Sequence, residues 1–109
     1  RDASKRPLMG QAAEQAADVV VVTSDNPRLE DPETIARDIL AGMRAGTPCV
    51  LDRAQAIAQA IARADARDVL LLAGKGHEDY QDIQGVKRPF SDKEQALQAL
   101  QQRRESTTP

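Results

Sequence analysis

A chain of 109 residues is enough for one domain. With 40% apolar and 29% charged residues it reads as globular rather than disordered, and a formal net charge of -2 gives no overall pull toward nucleic acid. Tyr80 and Phe90 are the only aromatics, too few for base-stacking platforms. No apolar run reaches the roughly 20 residues of a membrane helix, and no signal peptide is visible. The single cysteine, Cys49, has no internal disulfide partner. It is expected to be a small buried hydrophobe in a reducing, cytoplasmic compartment. The chain opens on a charged stretch from Arg1 to Arg6 with no strand of its own, which reads as a piece of something longer.

In chain order, a first helix is expected over about Leu8 to Ala17. The continuous apolar run Val19 to Val22 reads as a strand buried on both faces, as in a parallel sheet. A second helix begins at Asp31, a natural N-cap, with Pro32 at its first position. Ile35, Ala36, Ile39, Leu40 and Met43 share one face of it, and Gly46 lies just past its end. Cys49 to Leu51 reads as a short strand. A third helix follows Asp52, with Ala54, Ile57, Ala58, Ile61 and Ala62 as its stripe. Val69 to Ala73 is a second fully buried strand by the same pattern. Gln84-Gly85 turns a hairpin between Tyr80–Ile83 and Val86–Phe90, an antiparallel edge element. The last helix begins at the capping box Ser91 and Glu94, carries Leu97 and Leu100, and runs toward Arg104. Glu105 to Pro109 is expected to fray. This alternation predicts an α/β, Rossmann-like, three-layer domain, a mostly parallel sheet flanked by helices with right-handed crossovers.

Ligands of open α/β sheets bind beyond the carboxyl ends of the strands. Two polar loops stand there: Thr23-Ser24-Asp25-Asn26-Pro27-Arg28, and Gly74-Lys75-Gly76-His77-Glu78-Asp79. Arginine suits a carboxylate and aspartate or glutamate an ammonium, so the mixture suits a zwitterionic small molecule. Each loop has a plainer explanation. Asp25-Asn26-Pro27 is turn chemistry, and Arg28 can be a solvated surface charge. Gly74-Lys75-Gly76 is neither a phosphate loop, lacking Ser or Thr after the lysine, nor a dinucleotide fingerprint, with Asp79 where the third glycine belongs. His77 and Lys75 have no ligand cluster that predicts a metal site.

Three stretches, Lys5-Arg6-Pro7-Leu8-Met9-Gly10, Asp25-Asn26-Pro27-Arg28 and Ala73-Gly74-Lys75-Gly76-His77-Glu78-Asp79-Tyr80-Gln81, resemble the Mur ligase family in order and spacing. Asp38-Ile39-Leu40-Ala41-Gly42-Met43 between them does too. Within the family the resemblance is to the branch that adds meso-diaminopimelate. It implies that residues 1–109 are the C-terminal, amino-acid-binding domain of a three-domain ligase whose UDP-binding and ATP-binding domains are absent here. It also implies that the domain's first strand and glycine-rich loop are missing. ATP would phosphorylate the terminal carboxylate of UDP-N-acetylmuramoyl-L-Ala-D-Glu, and the amine of meso-diaminopimelate would displace the phosphate. ATP and Mg2+ would be held mainly by the absent central domain, and the rest of its own chain would be this domain's partner. By position, Arg1 resembles an arginine that contacts the amino acid. Asp25, Asn26, Pro27 and Arg28 resemble the diaminopimelate-recognition loop. Gly74 and Glu78 resemble the remaining contacts, through backbone and carboxylate. The resemblance assigns no catalytic residue and no metal ligand to this piece. The alternatives are a lysine-adding sister ligase and a non-catalytic α/β binding module.

Overall fold

The structure is a computed structural model that describes residues 3–75 and 77–107. Arg1 and Gly76, both named above, lie outside the described residues. A 3-10 turn, Ala3–Lys5, leads into α1, Arg6–Ala16. Then come α2, Pro32–Leu40; α3, Arg53–Arg63; β1, Tyr80–Ile83; β2, Val86–Pro89; and α4, Asp92–Thr107.

The helix starts follow local chemistry. Asp31 caps α2 by accepting from Glu33 N at 3.1 Å, and Asp52 caps α3 by accepting from Gln55 N at 3.1 Å. Ser91 Oγ accepts from Glu94 N at 3.2 Å ahead of α4. Of the tail expected to fray, Glu105 to Thr107 continue α4 instead, and Thr108 and Pro109 lie outside the described residues. Arg103 explains part of this: Nη1 donates to Ile61 O at 2.6 Å, so the last turns of α4 are tied to the open carbonyls that end α3.

The helices pack in two pairs, α1 with α2 and α3 with α4. Ile57, Ile61 and Ala99 form the buried centre of the second pair, with Ala58, Leu72, Phe90 and Ala96 against them. Alanine, not leucine, faces α3 from α4; Leu97 and Leu100 are exposed. Glycines make the first pair close. A Cβ on Gly10 would meet Ile39 O and stand 2.8 Å from Met43 Cγ. A Cβ on Gly42 would run into the Pro7 carbonyl, with Pro7 Cα 2.9 Å away. Replacing Gly42 by alanine must push backbone apart, and we expect a loss of about 1–3 kcal/mol. A lowered denaturation midpoint of the domain, with unchanged slope, would register it.

The hairpin is as expected: β1 and β2 pair antiparallel from Tyr80↔Pro89 to Ile83↔Val86. Gln84 and Gly85 both take positive φ, 54° and 80°, as a two-residue primed turn requires. The two apolar runs depart from expectation. Val19 to Val22 and Val69 to Ala73 form no ladder among the described residues, and Val19 lies in a bend. Val22 alone is buried and bridges Cys49 in parallel, its N–H on Pro48 O and its carbonyl under Val50 N. Val19 is 80% exposed and Val69 96%. A strand is buried on both faces only when neighbours pair both its edges and cover both its sides. Within the described residues these runs have neither. Cys49, expected to be buried, is exposed for the same reason: its one bridge leaves its side chain uncovered.

Candidate functional site

The two polar loops do converge. Residues Thr23 to Glu30, with Arg6 and Met9 of α1, the inner side of α2, Gly74 and Glu78, line a cavity of about 540 Å³. Of the residues singled out by sequence, Asp25, Asn26, Pro27, Arg28, Gly74 and Glu78 are all on its wall. His77 is exposed and is not among them.

The first loop is held from two directions. Its start hangs on Val22, pinned by the Cys49 bridge. Its end is held by the hairpin: Arg28 N donates to Asp82 O at 2.8 Å, and Arg28 O accepts from Gln84 N. Arg28 is thereby fixed at φ 55°, a left-handed conformation that costs a non-glycine residue about 1–2 kcal/mol. Such strain kept in place by surrounding bonds is typical of functional positions. The Arg28 guanidinium makes one contact among the described residues, Nη1 to Asn26 O at 3.4 Å. It has no carboxylate partner there.

Asn26 is the hub. Its Oδ1 accepts from Asp82 N at 2.9 Å and from Lys75 Nζ at 3.2 Å, and its Nδ2 donates to Glu78 Oε1 at 3.2 Å. Two donors on one side and an acceptor on the other fix the orientation of the amide. The loops meet again at Gly74. Its φ of 112° suits glycine, and a Cβ there would stand 3.2 Å from Asp25 Oδ2.

Sequence reasoning missed Lys75. Its ammonium is fully buried, 2.9 Å from Asp25 Oδ1 and 2.5 Å from Tyr80 O. The Tyr80 and Phe90 rings each stand 5.9 Å from it, within cation–π range. Asp25 thus pairs with Lys75 through Oδ1 and still lines the cavity. Among the described residues Glu78 accepts from Asn26 and, at 3.4 Å, from Tyr80 OH, so its carboxylate, on the cavity wall, keeps lone pairs to spare. The signal for Lys75 was present in the two glycines around it, but its aromatic walls lie beyond the loop.

On the helical side, Arg6 of α1 is 4% exposed and pairs with Glu30 at 2.7 Å and Asp38 at 2.9 Å. Hydrogen bonding from Arg6 holds the Glu30 carboxyl below its ordinary value of 4.5 and keeps the guanidinium firmly charged. A depressed carboxyl contributes stability above its unfolded pKa and loses it as pH falls through the lower folded value. The stability gap between wild type and Glu30→Gln should hold constant at neutral pH and close below about pH 4, in thermal melts across that range. A gap that widened on acidification would contradict the pairing.

Among the described residues no group of three or more His, Cys, Asp or Glu is placed together as metal ligands would be. Nor is any helix long and apolar enough to cross a membrane.

Residues 1–76 match the family described as Mur ligase, glutamate ligase domain. The chain is 61% identical over 101 residues to UDP-N-acetylmuramoyl-L-alanyl-D-glutamate--2,6-diaminopimelate ligase of Chromobacterium violaceum, and 60% identical over 100 residues to the protein of that name from Neisseria meningitidis. These matches cover 92% of this chain and 20% of each relative. A solved structure of a ligase of the same name superposes on 95% of this chain with a TM-score of 0.89, at 44% identity, using 22% of its own length. The α/β arrangement is therefore the Rossmann-like one that the alternation of elements implied. The chain spans about a fifth of the length of the relatives it matches.

Proposed function

From the chain's membership of the Mur ligase family, by its glutamate ligase domain, we propose that residues 1–109 are the C-terminal, amino-acid-binding domain of a ligase that adds meso-diaminopimelate to UDP-N-acetylmuramoyl-L-Ala-D-Glu. One observation carries this reading. A guanidinium with no acidic partner among the described residues, Arg28, and a carboxylate with lone pairs to spare, Glu78, share a cavity with the hub Asn26. Opposite charges held apart on one wall complement the far end of a molecule that carries both a carboxylate and an ammonium.

Arg28 takes the far carboxylate and Glu78 the far ammonium. Asn26, its Nδ2 already facing Glu78, offers its second amide hydrogen to the same end. Pro27 and Gly74 shape the wall. Asp25 holds the frame through Lys75 and is proposed as a further contact to the ligand. The near amine of diaminopimelate is left to react. ATP first phosphorylates the substrate carboxylate; the amine then attacks the acyl carbon, losing a proton, and inorganic phosphate leaves. ATP and Mg2+ bind mainly outside this domain, and the reaction takes place in the cytoplasm. Arg1 is proposed as a further contact to the amino acid. The domain's share of catalysis is orientation of the amine.

The test is ADP release by the full-length protein given ATP, Mg2+ and the UDP-linked substrate. Release should depend on meso-diaminopimelate and be far weaker with lysine. Release indifferent to any amine would overturn the ligase reading, and equal use of lysine would overturn the assignment of the far-end carboxylate.

A further inference from the structure

Arg53 is the first residue of α3, and nothing in the proposed chemistry uses it. It is 4% exposed, which is rare for an arginine outside a fully paired site. Its guanidinium is almost fully spent. Nε and Nη2 take the two oxygens of Asp92, at 2.8 and 2.7 Å. Nη2 also donates to Ala73 O at 3.0 Å, and Nη1 to Ser24 O at 3.1 Å. Ser24 immediately precedes Asp25, and Ala73 immediately precedes Gly74. One side chain thus holds the entry of each cavity loop and anchors both to the first residue of α4.

The space behind the first loop explains why these bonds matter. A second cavity of about 340 Å³ lies there, bordered by Ser24, Pro27, Arg53 and Gln81. Ser24 and Pro27 line both spaces, and only Pro27 of the two is buried. At Ser24 the bond from Arg53 therefore helps to set where the loop sits. We infer that Arg53 is a positioning residue that fixes the separation of the two loops, and with it the affinity for the amino acid, without touching that amino acid. The inference rests on the function proposed above. Lysine keeps the charge and the pair with Asp92, but a single ammonium lacks the planar fork that spans two carbonyls and a carboxylate.

The experiment uses the full-length protein with Arg53→Lys and Arg53→Met. Hydrogen exchange is followed in peptides covering 23–28 and 73–78, together with the Michaelis constants for diaminopimelate, ATP and the UDP-linked substrate. Both variants should exchange faster in both loops by about tenfold or more, the equivalent of one charge-assisted hydrogen bond, while α1 and α2 stay as protected as in wild type. The Michaelis constant for diaminopimelate should rise by about tenfold in Arg53→Lys, with kcat and the other two constants within about twofold. Unchanged exchange in either loop overturns the inference, whatever the protein's substrate proves to be. So does an Arg53→Lys variant with wild-type affinity for the amino acid, or equal losses for all three substrates. A wild-type protein that ignores diaminopimelate would instead sink the earlier reading, and the exchange measurement would still decide this one.

Discussion

Arg28→Ala in the full-length protein is expected to raise the Michaelis constant for meso-diaminopimelate by roughly 30-fold or more, with those for ATP and the UDP-linked substrate nearly unchanged. Among the described residues the Arg28 guanidinium spends one long hydrogen bond on Asn26 O and makes no other. A ligand carboxylate would give it a charge-assisted, two-pronged pair, and truncating one partner of such a pair costs about 2–5 kcal/mol. Lysine as a ligand has no carboxylate at that end, so the same arginine rejects it. Two further variants separate binding from folding. Arg28→Gly removes the guanidinium and also the cost of a φ of 55°, so it should fold at least as stably as wild type while losing the same affinity. Arg28→Lys should recover only part, because an ammonium lacks the fork. Alanine and glycine variants with wild-type kinetics would make Arg28 a strained turn residue and nothing more.

Lys75→Met should be the most damaging single change to the frame of the site. It strands Asp25 beside a buried apolar socket formed by Tyr80 and Phe90, and it frees one side of the Asn26 amide. Breaking a fully buried pair costs about 3–5 kcal/mol; the Asp25 side chain is 37% exposed, so about 2–3 kcal/mol is the better expectation. Most of that comes from the charge left behind. The double variant Lys75→Met with Asp25→Asn should therefore be more stable than Lys75→Met alone, in denaturant titrations of each protein. Strictly additive losses would mean that the two groups do not act as a pair.

Local signals read true where a few neighbouring residues decide the outcome. Asp31, Asp52 and Ser91 cap their helices, and Gln84-Gly85 makes its turn, because each act needs only residues within about four positions. The loops at 23–28 and 74–79 were likewise legible as polar strand exits that face one another. What failed to show was pairing at long range. Arg53 reads as an ordinary charged start to a helix, since its partner Asp92 is 39 residues away. Arg6 reads as part of a basic tail until Glu30 and Asp38 fold around it. Val19 and Val69 carry the apolar pattern of buried strands, but a pattern states which side chains need cover, not whether cover is present.

The bond from Arg28 N to Asp82 O and its companion at Gln84 have a corollary. They run through main chain alone, so no side chain at position 28 takes part in them, and the only cost a side chain adds there is that of a φ of 55°. The backbone works as a socket and the residue as an interchangeable tip. A shorter, neutral or acidic tip would change the charge that the cavity presents, while the two main-chain bonds stay as they are.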